Sequence, residues 1–515
     1  MTRLDSILVL DFGGQYCHLI ARRIREYRVY SEIVHHDITL EEIETLNRKL
    51  KVKGIIFSGG PASVYKHNAP RPDPRILDSG LPILGLCYGH QLIAEITGGK
   101  IDPAEHREYG TAYVTIDKPL GVLKGLNEKE KIWMSHGDTV VHIPSEYEIL
   151  AHTENCPIAA FRHKKRPIFG LQWHPEVIHT EKGPQMLQNF IFEVCKCKPN
   201  WKMENVIEKA IKEIKAEVGE ERAIIALSGG IDSSISTALA VEALGNRLTA
   251  VFVDHGFMRE GEPEFVRKTF HKFKIDLMTI NAQERFLKKL KGIVDPERKR
   301  KIIGEEFIRV FEEVADEKGS EYLIQGTIYP DRIESGFRKF SDKIKTHHNV
   351  AGLPLRIKFK SIIEPLRDLY KDEVRKIGRM LGLPEEIVLR QPFPGPGLAV
   401  RIIGEINQEK IKIVRKADRI VRDEIQKKEL DHDLWQFFPV LTDTKATGVK
   451  GDSRAYGYVV AIRAVESREA MTASFAKLPY DLLETISTRI TNEITKVTRV
   501  VYDITHKPPA TVEWE

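Results

Sequence analysis

The sequence predicts an α/β protein, with two parallel-sheet α/β domains at residues 1–199 and 200–396 followed by a small α+β domain at 397–515. Three observations carry that expectation. Short apolar runs ending in Gly-rich turns recur through the first 199 residues with helix-compatible stretches between several of them, and the same alternation restarts at Ala223. After a Pro- and Gly-rich stretch at 391–397 the pattern changes to one long amphipathic segment, two strand-like runs and a further helix-like stretch. Alternating strands and helices build covered parallel sheets, whose ligand-binding loops gather at the carboxyl ends of the strands.

A chain of 515 residues has room for several cores and, by length, about three domains. Its formal net charge of only +5 gives no electrostatic reason to expect a nucleic-acid or membrane partner. Five cysteines, at 17, 87, 156, 195 and 197, do not make a disulfide framework, and Cys195-Lys196-Cys197 is too isolated for a zinc site. The apolar run near the N-terminus is too short for a signal segment, and no later run reaches the ~18 apolar residues of a membrane span. A cytosolic protein is therefore expected.

In the first domain, strands are expected at 7–10, 54–57, 83–86 and 168–171. The third runs into Gly85-Leu86-Cys87-Tyr88-Gly89-His90-Gln91, where small residues on both sides of Cys87 permit a sharp strand-to-helix turn. Such an elbow exposes the thiol and sets it at a helix N-terminus, which favours the thiolate. The fourth runs into Gln172-Trp173-His174-Pro175-Glu176. A strand-end His174 can take the thiol proton while Glu176, two positions on, holds the imidazole in one tautomer. Backbone N–H groups of the Ser58-Gly59-Gly60-Pro61 turn, with that of Tyr88, are expected to form an oxyanion hole. These residues describe an acyl-transferring thiol enzyme. Over nearly its whole length this domain resembles the class I glutamine amidotransferases of the triad type. The resemblance implies that Cys87 attacks the side-chain amide of glutamine, releasing ammonia and leaving a thioester for water to hydrolyse. It also implies substrate contacts from Gln91 and from Ser135-His136-Gly137-Asp138.

The second domain is organised around Ala223 to Ser234, an apolar run, a Ser-Gly-Gly-Ile-Asp-Ser-Ser turn and a helix-like segment. Gly229 and Gly230 let a ligand approach the backbone, Ser228, Ser233 and Ser234 add hydroxyls, and the helix beginning near Ile231 presents unpaired N–H groups to an anion. Asp232 beside phosphates makes sense with a divalent cation such as Mg2+ between them. The Gly-Lys-Ser/Thr ending of the common NTP loop is absent. The heptad resembles instead the PP-loop of the ATP pyrophosphatases, of adenine nucleotide alpha-hydrolase-like fold, which implies that it grips the pyrophosphate of ATP and transfers AMP to a substrate oxygen. The Asp-His-Gly after the strand-like run 249–254 is expected at the edge of the adenosine pocket. A third strand is expected at 322–325. Three further segments fit loops near substrate. DPERKRKIIG at 295–304 is a phosphate clamp or a solvated basic face. Asp331 and Glu334 bind metal, stabilise a transition state or cap a helix. The segment 345–354, with Lys345, His347 and His348, has the composition of a lid that contacts phosphate.

The last domain, of about 120 residues, is small enough to suggest that it completes its core through a partner. Its Pro- and Trp-bearing tail, HKPPATVEWE, reads as docked rather than frayed. With the segments DPERKRKIIG, HHNVAGLP, QPFPGPGLAVR and KPPATVEWE, the whole chain resembles the family that fuses a class I amidotransferase to a PP-loop ligase acting on a purine nucleotide. That resemblance implies ATP- and Mg2+-dependent amination of xanthosine monophosphate (XMP), a homodimer formed through the last domain, and XMP contacts from Arg300, Gln436, Arg499, Lys507, Thr511 and Glu513. Ala351 and Val512 stand where the family has glycine and isoleucine. Class II amidotransferases need a cysteine where Thr2 stands, and the NAD synthetases carry a nitrilase-like domain in place of the Cys87, His174 and Glu176 pattern. A tRNA-modifying PP-loop enzyme is the remaining alternative, and the near-neutral charge disfavours it. A non-catalytic dimeric scaffold is argued against by the intact nucleophile, base and phosphate loop.

Overall fold

The structure, a computed structural model, describes residues 3–271, 276–336, 359–467 and 473–515, with the side chains at 105–106 and 333–336 left aside. The chain divides into two compact units, Met1–Asn205 and Val206–Glu515.

Among the described residues the first unit is built on a nine-stranded sheet. Its parallel half runs Tyr30–His35, Asp5–Asp11, Lys51–Phe57, Ile83–Leu86 and Ile168–Leu171, and contains all four expected strands. Four antiparallel strands, Ala160–His163, Tyr147–His152, Lys100–Ile116 and Lys129–His142, continue the sheet beyond it. The central strands are buried along almost their whole length, so they read as plain apolar runs. Lys129–His142 alternates buried and more accessible positions, the signature of a strand with one covered face. None of these antiparallel strands, nor Tyr30–His35, is among the strands expected from the sequence.

The second unit holds a five-stranded all-parallel sheet in the order Asp276–Asn281, Leu248–Asp254, Ala223–Ala226, Tyr322–Ile324 and Ser361–Ile363. Ala223–Ala226 lies at its centre, and the Ser-Gly-Gly-Ile-Asp-Ser-Ser turn leaves its carboxyl end. A second sheet pairs the long hairpin Gln436–Lys450 and Ser453–Glu466, with Ser474–Phe475 antiparallel and Val497–Tyr502 parallel to the second arm. Helix Gln408–Lys427 packs its apolar face on this sheet, and one continuous hydrophobic core runs from Ile224 and Val251 through Leu398, Val414 and Val421 to Leu441, Ile462 and Ile486.

Candidate active sites

Cys87 ends the strand Ile83–Leu86 at φ 52° and ψ −103°, and helix Tyr88–Ile96 begins at the next residue. A non-glycine residue at this φ is strained, and the surroundings hold it there. A Cβ on Gly89 would lie 2.3 Å from Phe57 O, and one on Gly85 2.4 Å from Gly89 O. Strand and helix are thus closer than any side chain permits, which is why glycine flanks the elbow.

His174 follows the neighbouring strand Ile168–Leu171 and is buried. Its Nδ1 meets Glu176 Oε1 at 2.6 Å, its backbone N–H donates to Trp133 O, and its carbonyl accepts from Thr180 Oγ1 at 2.7 Å. The Tyr16 ring stands edge-on at 4.9 Å. With Nδ1 committed to the carboxylate, Nε2 is left to face the thiol. Burial pulls the imidazole pKa down, but Glu176 and Cys87 together more than reverse this and raise it to about 10. The site therefore favours an imidazolium beside the sulfur.

Gly59, Gly60 and Tyr88 line the same cavity of about 750 Å³ as Cys87, Gln91, His174 and Ser135 to Asp138, which the structure places within the strand Lys129–His142. Ser58 Oγ accepts from Phe12 N and donates to Gly59 O, pinning the glycine turn, and a Cβ on Gly59 would fall 3.0 Å from His174 Cε1. The Cys87 Sγ donates to Ser135 O at 3.5 Å. Gln91 Nε2 donates to Asp138 O at 2.8 Å, and His136 bridges that carbonyl through Nδ1 and Glu108 Oε2 through Nε2. Glu108 was not singled out in the sequence. Burial raises its pKa, but bonds from His136, Thr153 and Asn155 outweigh burial and hold it below the usual range.

In the second unit Gly230 caps helix Ile231–Leu244, whose first turn is Ile231 to Ser234, the second half of the serine-rich heptad. Gly229 has φ +78°, which a side chain would strain, and a Cβ there would also sit 2.6 Å from Val266 Cγ2. Ser233 Oγ bonds Ser228 Oγ at 2.9 Å and Gly230 O at 3.1 Å, while Ser234 Oγ donates to Gly230 O at 2.6 Å, so these hydroxyls shape the loop. Ser228, Gly230, Ile231, Asp232 and Ser233 line a cavity of about 740 Å³ together with Gln325, Gly326, Thr327, Asp331, Lys371 and Arg390. Asp232 Oδ2 accepts from Lys371 Nζ at 2.6 Å, and its Oδ1 is buried with no hydrogen-bond partner. Arg390 donates to Gly229 O at 2.7 Å and pairs with Glu262. Lys371 and Glu262 have no local motif to mark them, since each opens a helix distant in the chain from the loop. Asp331 Oδ2 accepts from Ile328 N, a capping geometry, on the cavity wall. Asp254 bonds Gly256 N and Gln283 Nε2, and Met258, four residues on, is what reaches the cavity from this turn. The Glu334 side chain and Lys345, His347 and His348 lie outside the described residues.

The six residues expected around XMP are placed unequally. Gln436 Nε2 donates to Glu513 Oε1 at 2.6 Å, and buried Arg401 grips the same carboxylate with Nε at 3.1 Å and Nη2 at 2.9 Å. The Thr511 hydroxyl donates to Glu513 O, and Arg300 donates to Glu515 O. Lys507 pairs its backbone with Ala473. Arg499 is exposed on the strand Val497–Tyr502. The tail is docked: Trp514 Nε1 donates to Asp503 Oδ2, and buried Lys299 holds Glu515.

A thiol, imidazole and carboxylate on one α/β sheet, joined in one chain to a Ser-Gly-Gly-Ile-Asp-Ser-Ser loop on another, define an amidotransferase fused to an ATP-using PP-loop ligase. Family models agree: glutamine amidotransferase class-I matches residues 8–194, the PP-loop domain 203–384 and the GMP synthase C terminal domain 423–514. Full-length similarity is high. A glutamine-hydrolyzing GMP synthase from Caldicellulosiruptor saccharolyticus is 55% identical, covering 99% of both chains, and ones from Geobacillus kaustophilus and Acetivibrio thermocellus are 53% and 52% identical at the same coverage. The chain belongs to the glutamine-hydrolysing GMP synthase family.

Proposed function

We infer that this enzyme makes GMP from XMP, hydrolysing glutamine for the nitrogen and ATP for the activation. The observation that carries the reading is the pair of built sites: the strained Cys87 elbow facing His174 and Glu176, and the PP-loop at the head of helix Ile231–Leu244.

In the first site Cys87 attacks the glutamine amide carbon. The N–H groups of Gly59, Gly60 and Tyr88 receive the oxyanion, and His174 passes the thiol proton to the departing ammonia. Water, deprotonated by His174, then cleaves the thioester to glutamate. In the second site the ATP phosphates lie against Ser228, Gly230, Ile231, Asp232, Ser233 and the helix N-terminus, with Lys371 and Arg390 at hand, while buried Ser234 braces the loop from behind. The adenine fits the neighbouring apolar cavity of about 680 Å³ lined by Ile303, Phe307, Phe311 and Leu323, which shares Ala226, Gln325 and Gly395 with the loop cavity. The C2 oxygen of XMP attacks the α-phosphorus and pyrophosphate leaves. Ammonia then displaces AMP from C2, a far better leaving group than the ring oxygen.

Asp232 fits a Mg2+ role, since its buried Oδ1 has no hydrogen-bond partner. With no three-ligand protein cluster among the described residues, the ion would complete its shell with phosphate oxygens and water and draw charge from the leaving pyrophosphate. The Gln436–Glu513 pair is the proposed seat of the purine base, with Arg300, Arg499, Lys507 and Thr511 toward the rest of the nucleotide. A homodimer through the hairpin domain and a cytosolic location complete the reading. No described helix is long and apolar enough to cross a membrane. The decisive measurement is product stoichiometry: AMP and pyrophosphate equal to GMP formed support the reading, and ADP with orthophosphate overturns it.

A further inference from the structure

Asp418 takes no part in the chemistry above, yet three guanidinium groups converge on it. It lies in the apolar face of helix Gln408–Lys427 near Val414, Ala417 and Val421, and is 0% exposed. Arg422 Nε donates to its Oδ2 at 2.8 Å, Arg259 Nε lies 3.5 Å from the same oxygen, and Arg401 Nη1 lies 3.6 Å from Oδ1. A carboxylate is costly in such a place unless it is paired, which raises the question of what this one orients. Burial pulls the Arg259 pKa to about 10 against the pull of Asp418, so Arg259 stays charged at neutral pH.

Arg401 connects the cluster to the acceptor subsite. Its Nε and Nη2 form the two-pronged pair with Glu513, its plane lies 4.0 Å over the Phe438 ring, and Glu513 also receives Gln436. A guanidinium is a rigid planar fork, so fixing Nη1 toward Asp418 fixes where the opposite edge points. That edge decides where the Glu513 carboxylate sits. Three guanidiniums face two carboxylates here; without the Asp418 charge, Arg259 and Arg401 repel across an uncompensated gap and the fork is free to turn.

We propose that Asp418 is a positioning residue for XMP, acting through Arg401 to place the Glu513 carboxylate that receives the purine N–H groups. The proposal rests on the reading of Gln436 and Glu513 as the base subsite.

Steady-state kinetics of the full chain, with ammonium as nitrogen source, test it. Asp418→Asn is expected to raise KM for XMP about tenfold or more, as for loss of a buried ion-pair partner, while kcat and KM for ATP move about twofold or less. Glu513→Gln raises KM for XMP by a similar factor. In the double variant the rise is close to that of the larger single change, because both substitutions cut the same path. If Glu513→Gln leaves KM for XMP unchanged, the subsite reading itself falls. If Glu513→Gln acts but the two effects multiply in full, or Asp418→Asn lowers kcat alone, the positioning role is overturned and the subsite stands. Should Asp418→Asn not fold, Arg422→Gln, at the more open side of the cluster, is expected to give about a threefold rise that vanishes in the Glu513→Gln background. No rise there overturns the proposal.

Discussion

Glu176 holds the His174 ring through a single short bond and, together with Cys87, raises the imidazole pKa. The folded imidazole pKa of about 10 stands above the ordinary 6.5, so its contribution to stability is complete below pH 6.5 and is lost as pH climbs through about 10. Urea melts should therefore show Glu176→Gln less stable than the parent at pH 6, with the gap narrowing toward pH 10. The same variant should lose roughly 10²-fold or more in glutamine-dependent kcat. Cys87→Ala should abolish synthesis from glutamine and leave synthesis from ammonium salts, measured side by side; loss of both would show that the nitrogen sites are not separate. Asp232→Asn should block both nitrogen sources, since it removes the proposed ligand of the cation while keeping the side-chain volume. The elbow cysteine, its base and the phosphate loop were legible in the sequence because each belongs to a short contiguous motif. Glu108, Lys371 and Arg401 were not, because each reaches its site from an element far away in the chain.

At the level of elements, both centres depend on helices that approach a strand end at backbone contact. Gly89 against Phe57 O is one such approach. Gly326 is another, where a Cβ would lie 2.8 Å from the backbone of Asp232 and Ser233. Gly326→Ala should displace the PP-loop and remove ammonium-dependent synthesis, and Gly89→Ala should cost about 1–3 kcal/mol of stability in the first unit, read from denaturant midpoints. The central parallel strands declared themselves as apolar runs because they are buried on both faces, whereas the parallel strands Tyr30–His35, Asp276–Asn281 and Ser361–Ile363 carry no such run. The antiparallel half of the first sheet did not, since strands such as Lys129–His142 alternate with charged residues that mimic a loop. That half supplies Ser135 to Asp138, so these site residues were named from their motif while the strand they belong to went unseen.

For the whole molecule, the hairpin domain presents Val449 and Tyr456, 74% and 73% exposed, on its two arms. Exposed apolar side chains on a hairpin fit the proposed dimer contact. Tyr456→Asp should shift sedimentation toward monomer; an unchanged dimer would place the interface elsewhere.

The sequence by itself determined the α/β class, the Cys87 elbow, the His174 and Glu176 proposed as its base and orienter, and the loop proposed for phosphate, because local sterics and short-range chemistry write those into neighbouring residues. Only the tertiary structure decided that Glu513, expected to stand ready for a purine, is gripped by buried Arg401 and Gln436, that Lys371 meets Asp232, and that one core joins the PP-loop sheet to the hairpin sheet. Those are pairings across tens to hundreds of residues, set by how helices and strands pack, and no local pattern records them.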